Sequence, residues 1–127
     1  MKEEAEKKLK VLVVDDEETI RKSIKKRLNK EGYDVITAES GDEAISILND
    51  TKFNLLILDY RMKGMDGLQL LKIIRRKEGD LPVIMMTGTS SMRPEDFIRE
   101  GASDCLIKPI SKETLIEAVK KAIDKGK

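Results

Sequence analysis

Five short apolar runs alternate with five amphipathic stretches along this chain. Lys10 to Asp15 reads as a β-branched strand, and from Glu17 to Lys30 the residues Ile20, Ile24 and Leu28 recur at helical spacing. Gly32 then supplies a left-handed stop. Asp34 to Ala38 is a second, shorter strand, and Gly41 to Asn49 carries Ala44, Ile45 and Leu48 on one helical face. Leu55 to Asp59 is apolar up to its last residue, as a strand covered on both sides requires. Leu68, Leu71 and either Ile73 or Ile74 stripe a third helix. Pro82 opens the strand Val83 to Thr87, a position where proline costs no ladder bond. A short fourth helix starts near Pro94 and stops at Gly101. Ser103 to Ile107 is the last strand, and Ser111 caps a final helix with Leu115, Ile116, Val119, Ala122 and Ile123 inward.

Strands alternating with helices predict an α/β fold, a parallel sheet with helices on both faces. Right-handed crossovers leave few arrangements. For five strands the common order is 2-1-3-4-5, with ligands bound at the carboxyl ends of the strands flanking the switch point between strands one and three. Asp15-Asp16 and Asp59 stand at those two ends. No internal repeat, second domain or linker is visible. Residues 1–9 read as a charged N-terminal extension and 10–125 as the folded domain.

The strand ends therefore converge on Asp15, Asp16 and Asp59, with Lys108 beside them. Carboxylates about 4 Å apart repel by roughly 4 kcal/mol per pair at an effective dielectric near 20, so a cation or a reaction must compensate. Hard oxygen ligands suit Mg²⁺, with Mn²⁺ a substitute. Asp15 and Asp16 before a helix also suit its macrodipole. Asp59 can act as a nucleophile on phosphorus, or simply start a turn. Gly64 and Gly67 shape the loop after it, through Asp66. Thr87, followed by Gly88, could donate its hydroxyl to a phosphoryl oxygen, or fill a strand position as a β-branched residue. Lys108 precedes Pro109, and a Lys–Pro bond can be cis.

Composition removes several alternatives. The 127 residues contain no His and one Cys, which excludes His-based catalysis and thiolate or imidazole zinc sites. The lone Cys105 fits a reducing, cytoplasmic setting. Lys plus Arg (25) nearly balances Asp plus Glu (24), so no global field draws the domain to nucleic acid or a membrane. No run approaches the roughly 20 apolar residues of a membrane span, and Met1 to Lys8 lacks the apolar stretch of a secretory signal. Abundant Lys and Glu beside a single glutamine, Gln69, lean toward a thermophilic source.

Asp15-Asp16, Asp59 with Met62 to Gly67, Thr87-Gly88 and Lys108-Pro109, in that order and spacing, resemble the motif set of the response-regulator receiver domain of two-component signalling. The resemblance runs from about Lys10 to Ala122. It implies a flavodoxin-like (βα)5 sandwich and a signalling module, not a metabolic enzyme. It also implies that Asp59 accepts a phosphoryl group from a histidine kinase or a histidine phosphotransfer protein. Asp16, assisted by Asp15, Asp59 and the Arg61 carbonyl, would hold Mg²⁺. Thr87 and Lys108 would hold the phosphoryl oxygens, and an output domain or partner would read the change. The family suggests that the first helix, with Arg21, Lys22, Lys25, Lys26 and Arg27, docks on a helical bundle. A solvated face explains the same basic run, and the spacing of Ile20 and Ile24 favours the core.

The chain departs from the family pattern at a few places. Cys105 stands where an aromatic usually reports the phosphoryl group, which predicts a smaller response on the face formed by the fourth helix, fifth strand and fifth helix. Lys63 replaces the usual Pro after Met62, so the acceptor loop loses a rigid point. The stretch from Thr87 to Gly101 is about one residue short, pointing to a short or shifted fourth helix. Arg61 and Thr89 occupy positions that tune dephosphorylation. Three rivals weigh against the receiver reading. A Mg²⁺-dependent phosphatase would want its two acids two residues apart after the first strand. A flavin carrier would want a phosphate-binding loop where Asp15 to Glu18 repel phosphate. A receiver-fold binding module with weakened switching would be consistent with Cys105.

Overall fold

The expected alternation is realised in a computed structural model that describes residues 8–88 and 92–126. Strands β1 (Lys10–Val14), β2 (Asp34–Ala38), β3 (Leu55–Asp59), β4 (Val83–Thr87) and β5 (Asp104–Ile107) form one sheet in the order β2-β1-β3-β4-β5. All four pairings are parallel. Between them run α1 (Glu18–Lys30), α2 (Gly41–Asp50), α3 (Gly67–Glu78) and α4 (Pro94–Arg99), with α5 (Lys112–Gly126) closing the chain. This is the flavodoxin-like three-layer sandwich.

Strand alternation divides the core into two layers. Val11, Val13, Leu55, Ile57, Ile84, Met86 and Leu106 face α1 and α5, meeting Ile24, Leu28, Leu115 and Val119. Leu12, Val14, Leu56, Leu58, Val83 and Met85 face the other layer, meeting Ala44, Leu48, Leu70, Leu71, Ile74 and Phe97. Fully burying each such aliphatic side chain contributes about 1.5–3 kcal/mol. The β3 strand is buried along its whole length, as its unbroken apolar run demands.

Helix ends follow local chemistry. Ser40 caps α2 by accepting from the Glu43 N–H (3.1 Å), and Ser111 accepts from the Thr114 N–H at the start of α5 (3.1 Å). Asp66 and Gln69 form a reciprocal capping box on α3. Gly32 adopts φ +96° just after α1, the left-handed geometry a side chain resists. Pro94 stands at the first position of α4, which is only six residues long. Its far end is tied to α3: Arg75 Nε donates to the Gly101 carbonyl at 2.9 Å, and Lys72 stands 4.0 Å from Glu100.

A few expectations shift. The buried face of α3 is Gly67, Leu70, Leu71 and Ile74, with Leu68 only partly covered. Ile116 is likewise partly exposed while Ala118 is buried in α5. Both shifts come from a helix whose inward stripe is wider than the few residues read as its centre.

Candidate functional site

Register brings the acids together. Val14 pairs with Leu58, so Asp15 and Asp59, the next residue along β1 and β3, emerge side by side. Asp59 pairs with Met86, which sets Thr87 one step further, and Thr87 pairs with Ile107, which sets Lys108 beyond it. The Lys108 N–H continues the ladder to the Thr87 carbonyl (2.7 Å). The Lys108–Pro109 bond is cis.

One oxygen from each of Asp15, Asp16 and Asp59 lies within 4.8 Å of the others. Asp15 is wholly buried and Asp59 is 4% exposed, while Asp16 is the most exposed of the three. The Lys108 ammonium lies 2.9 Å from Asp59 Oδ1 and 3.3 Å from Asp15 Oδ2. Three carboxylates against one ammonium leave the pocket formally at −2 when all are ionised. Burial pushes the Asp59 carboxyl up to about 6; the Lys108 bond opposes this, and Asp15 adds to it. For Lys108, burial acts to lower the pKa, but its bonds to Asp59 and Asp15 more than offset that and raise it.

The surplus negative charge, the hard oxygen donors and their close spacing fit a divalent cation such as Mg²⁺ or Mn²⁺. Each acid is also held by protein: Asp15 through both oxygens, Asp59 and Asp16 through one each. Asp15 Oδ1 accepts from the Glu17 N–H at 2.9 Å, and Asp16 Oδ2 accepts from the Lys63 N–H at 3.2 Å. Since an ionised carboxylate offers about four lone-pair sites, each acid retains capacity for another partner.

Glycine at 67 lets α3 start against the acid's own backbone. A Cβ there would fall on the Asp59 carbonyl oxygen and 2.9 Å from the Tyr60 Cα. The Gly67 N–H donates to the Tyr60 carbonyl (2.8 Å), closing the loop 60–67. Met65 packs on Gly41 of α2, where a Cβ would meet its sulfur at 2.7 Å. The Tyr60 ring meets Phe97 of α4 edge-on at 5.0 Å, linking the end of β3 to that helix.

Thr87 is buried beside these groups, and its hydroxyl donates to the Gly88 carbonyl (3.2 Å). Arg61 is exposed on an open groove with Asp16, Lys63 and Asp66. Cys105 is half-buried on the α3–α4 side, with its thiol pushed up to about 11 by burial and by Asp104. Thr89 lies outside the described residues. Sequence reasoning missed several groups. Arg21, counted with a basic face, donates Nη1 to the Asp15 carbonyl at 2.7 Å. Backbone donors such as Lys63 N–H carry no side-chain signature, and Phe97 had no partner visible in sequence. Arg21 could have been suspected from its place one turn into α1, directly after the acids.

An apolar groove of about 460 Å³ opens beside Lys108, lined by Ile20, Ile24, Met86, Pro109, Ile110 and Leu115. Ile24 is in the core as its spacing suggested, while Ile20 is partly exposed on the groove wall. No helix among the described residues is long and apolar enough to cross a membrane.

A family model described as the response regulator receiver domain matches residues 11–120. Among curated proteins, the chain is 38% identical over 118 residues to the transcriptional regulatory protein GlrR of Escherichia coli, covering 91% of this chain and 26% of that protein. It is 40% identical over 123 residues to the probable transcriptional regulator ycf27 of Porphyridium aerugineum, covering 94% of this chain and 51% of that protein. The chain thus spans between a quarter and a half of these relatives. Among solved structures, the Francisella response regulator 1452 receiver domain superposes with a TM-score of 0.87 at 32% identity, covering 94% of this chain and 99% of that one. A CheY-like receiver protein from Methanospirillum hungatei superposes with a TM-score of 0.89 at 30% identity, covering 94% and 97%.

Proposed function

This chain belongs to the response-regulator receiver family, and from that premise we propose that Asp59 is its phosphoacceptor. The observation that carries the reading is Asp59 itself: a buried carboxylate paired with Lys108 at 2.9 Å inside a three-acid cluster. A carboxylate oxygen of Asp59 attacks phosphorus of a phosphohistidine. The P–N bond breaks, its electron pair returns to the imidazole, and an aspartyl phosphate forms. Lys108 keeps the acid ionised for attack and then faces the added phosphoryl oxygens. Thr87 exchanges its bond to Gly88 for one to a phosphoryl oxygen. Asp15, Asp16, Asp59 and the Arg61 carbonyl would hold Mg²⁺ or Mn²⁺. That ion, when bound, neutralises phosphoryl charge and aligns the displacement.

The domain proper is taken as residues 10–125, with 1–9 an extension. The donor is a histidine kinase or a histidine phosphotransfer protein in the cytoplasm. Its helical bundle would pack on the apolar groove beside Lys108, whose Ile20 and Ile24 wall is flanked by the basic positions of α1. Movement of Thr87 and Lys108 toward the phosphate biases a two-state equilibrium at α4. The relatives carry the names of transcriptional regulators, so control of transcription by a further domain or partner is the output this reading supports.

Acetyl phosphate with Mg²⁺ tests it. Intact-mass spectrometry gives one phosphate adduct on the parent and none on Asp59→Asn. Absence of an adduct on the parent rejects the reading. A second reading, binding with weakened switching, is favoured by Cys105, which cannot swing as a ring does. Mg²⁺ and beryllofluoride then shift amides around Asp59 but little on the face of α4, β5 and α5. A full-sized response on that face removes the second reading.

A further inference from the structure

Asp15 is fixed twice, by Glu17 N–H and by Lys108, and Asp59 is fixed by Lys108. Asp16 is different. It is the most exposed of the three acids. Among the described residues, the hydrogen bond that holds its carboxylate comes from the facing loop: the backbone N–H of Lys63, 3.2 Å from Oδ2. Resting on the reading of Asp16 as a cation ligand, we propose that the Lys63 amide is a positioning group. It aims Asp16 into the cation site before the ion arrives.

The loop that presents this amide is itself tied down. Gly64 turns at φ +76°, Met65 packs on Gly41, and the Gly67 N–H closes on the Tyr60 carbonyl. Asp66 and Gln69 then anchor it to α3. A fixed donor narrows the rotamers of a side chain that would otherwise sample several, so less freedom is lost when the ion binds. Oδ2 takes the N–H, and Oδ1 is left to the ion. The Lys63 side chain is exposed. The donor is main chain, so every residue type except proline supplies it. Position 63 therefore matters through what it is not.

The test is a Mg²⁺ titration of the whole ¹⁵N-labelled chain, read from amide shifts, for the parent, Lys63→Ala, Lys63→Pro and Asp16→Asn. Lys63→Ala keeps the N–H and retains the parent affinity. Lys63→Pro removes it and weakens Mg²⁺ about ten-fold or more, the size of one hydrogen bond to a charged group. Equal or tighter binding by Lys63→Pro overturns the proposal. If Asp16→Asn binds Mg²⁺ as the parent does, the reading of Asp16 as a ligand fails first. If Asp16→Asn is weakened and Lys63→Pro is not, only the role of Lys63 fails. A measurement independent of the proline variant is hydrogen exchange at Lys63. Its amide exchanges several-fold faster in Asp16→Ala than in the parent, and an unchanged rate overturns the proposal equally.

Discussion

Lys108 and Asp59 meet at 2.9 Å between adjacent strand ends, and the same ammonium reaches Asp15 at 3.3 Å. One cation thus keeps two buried carboxylates from facing each other unscreened. Lys108→Met removes it. The variant loses about 1–3 kcal/mol at pH 7.5, less than for a fully buried pair because the Lys108 side chain is 23% exposed. With its partner gone, Asp59 titrates above 6 and takes up a proton at mildly acidic pH. Urea unfolding should therefore show much of the loss recovered at pH 5. A loss equal at both pH values would contradict the pairing.

Asp59 itself opposes folding at neutral pH. Its folded pKa of about 6 lies above the ordinary 3.8, so between these values the native state binds more protons than the unfolded chain. Stability contributed by this group is therefore greatest below pH 3.8 and falls as pH rises through about 6. Above that, the penalty is about 3 kcal/mol. Asp59→Asn removes it, so this variant unfolds at higher urea than the parent at pH 7. The gap closes as pH is lowered toward 4. A variant less stable than the parent at pH 7 would refute the argument.

Gly67→Ala places a methyl on the Asp59 carbonyl oxygen and 2.9 Å from the Met85 Cε. Met85 can rotate away; the backbone oxygen cannot. The expected cost is about 1–3 kcal/mol, as for other overpacked sites, seen as a lower urea midpoint with an unchanged slope. Phosphorylation by acetyl phosphate should slow as well, since the displaced backbone carries Asp59.

Cys105 should be a quiet thiol. Burial and the nearby Asp104 charge hold it near pKa 11, so almost none is thiolate at pH 7.5. Iodoacetamide labelling in a urea series should rise along the unfolding curve, with little reaction before it. Rapid native labelling would show that the thiol is more open than its packing against the α3–α4 layer indicates.

Much of this could be read from the chain itself. The β-branched runs and helical stripes located ten elements, because both sheet faces are covered and each run is unambiguously apolar. The acids at the ends of β1 and β3 followed from the strand order alone. What sequence could not supply was the set of ties made by main chain and by side chains of mixed character. Arg21 reads as one member of the basic run on α1, yet its guanidinium bonds the Asp15 carbonyl. Lys63 reads as the loss of a rigid proline, yet its amide gives the loop a bond that proline lacks. Tyr60 and Phe97 are far apart in sequence, and only the packing of α4 brings their rings together. In each case the deciding quantity is a direction in space, which composition and spacing do not encode.

The pairing of Val14 with Leu58 has a consequence for how such chains can vary. Alternation turns successive residues to opposite layers. One residue inserted within β3 would rotate Asp59 out of line with Asp15 and Lys108 and push Ile57 and Leu58 into exchanged layers. The same insertion in the turn around Asp80, at the opposite edge of the sheet, leaves every one of those alignments intact. Length polymorphism is thus permitted in that turn and forbidden within the strand.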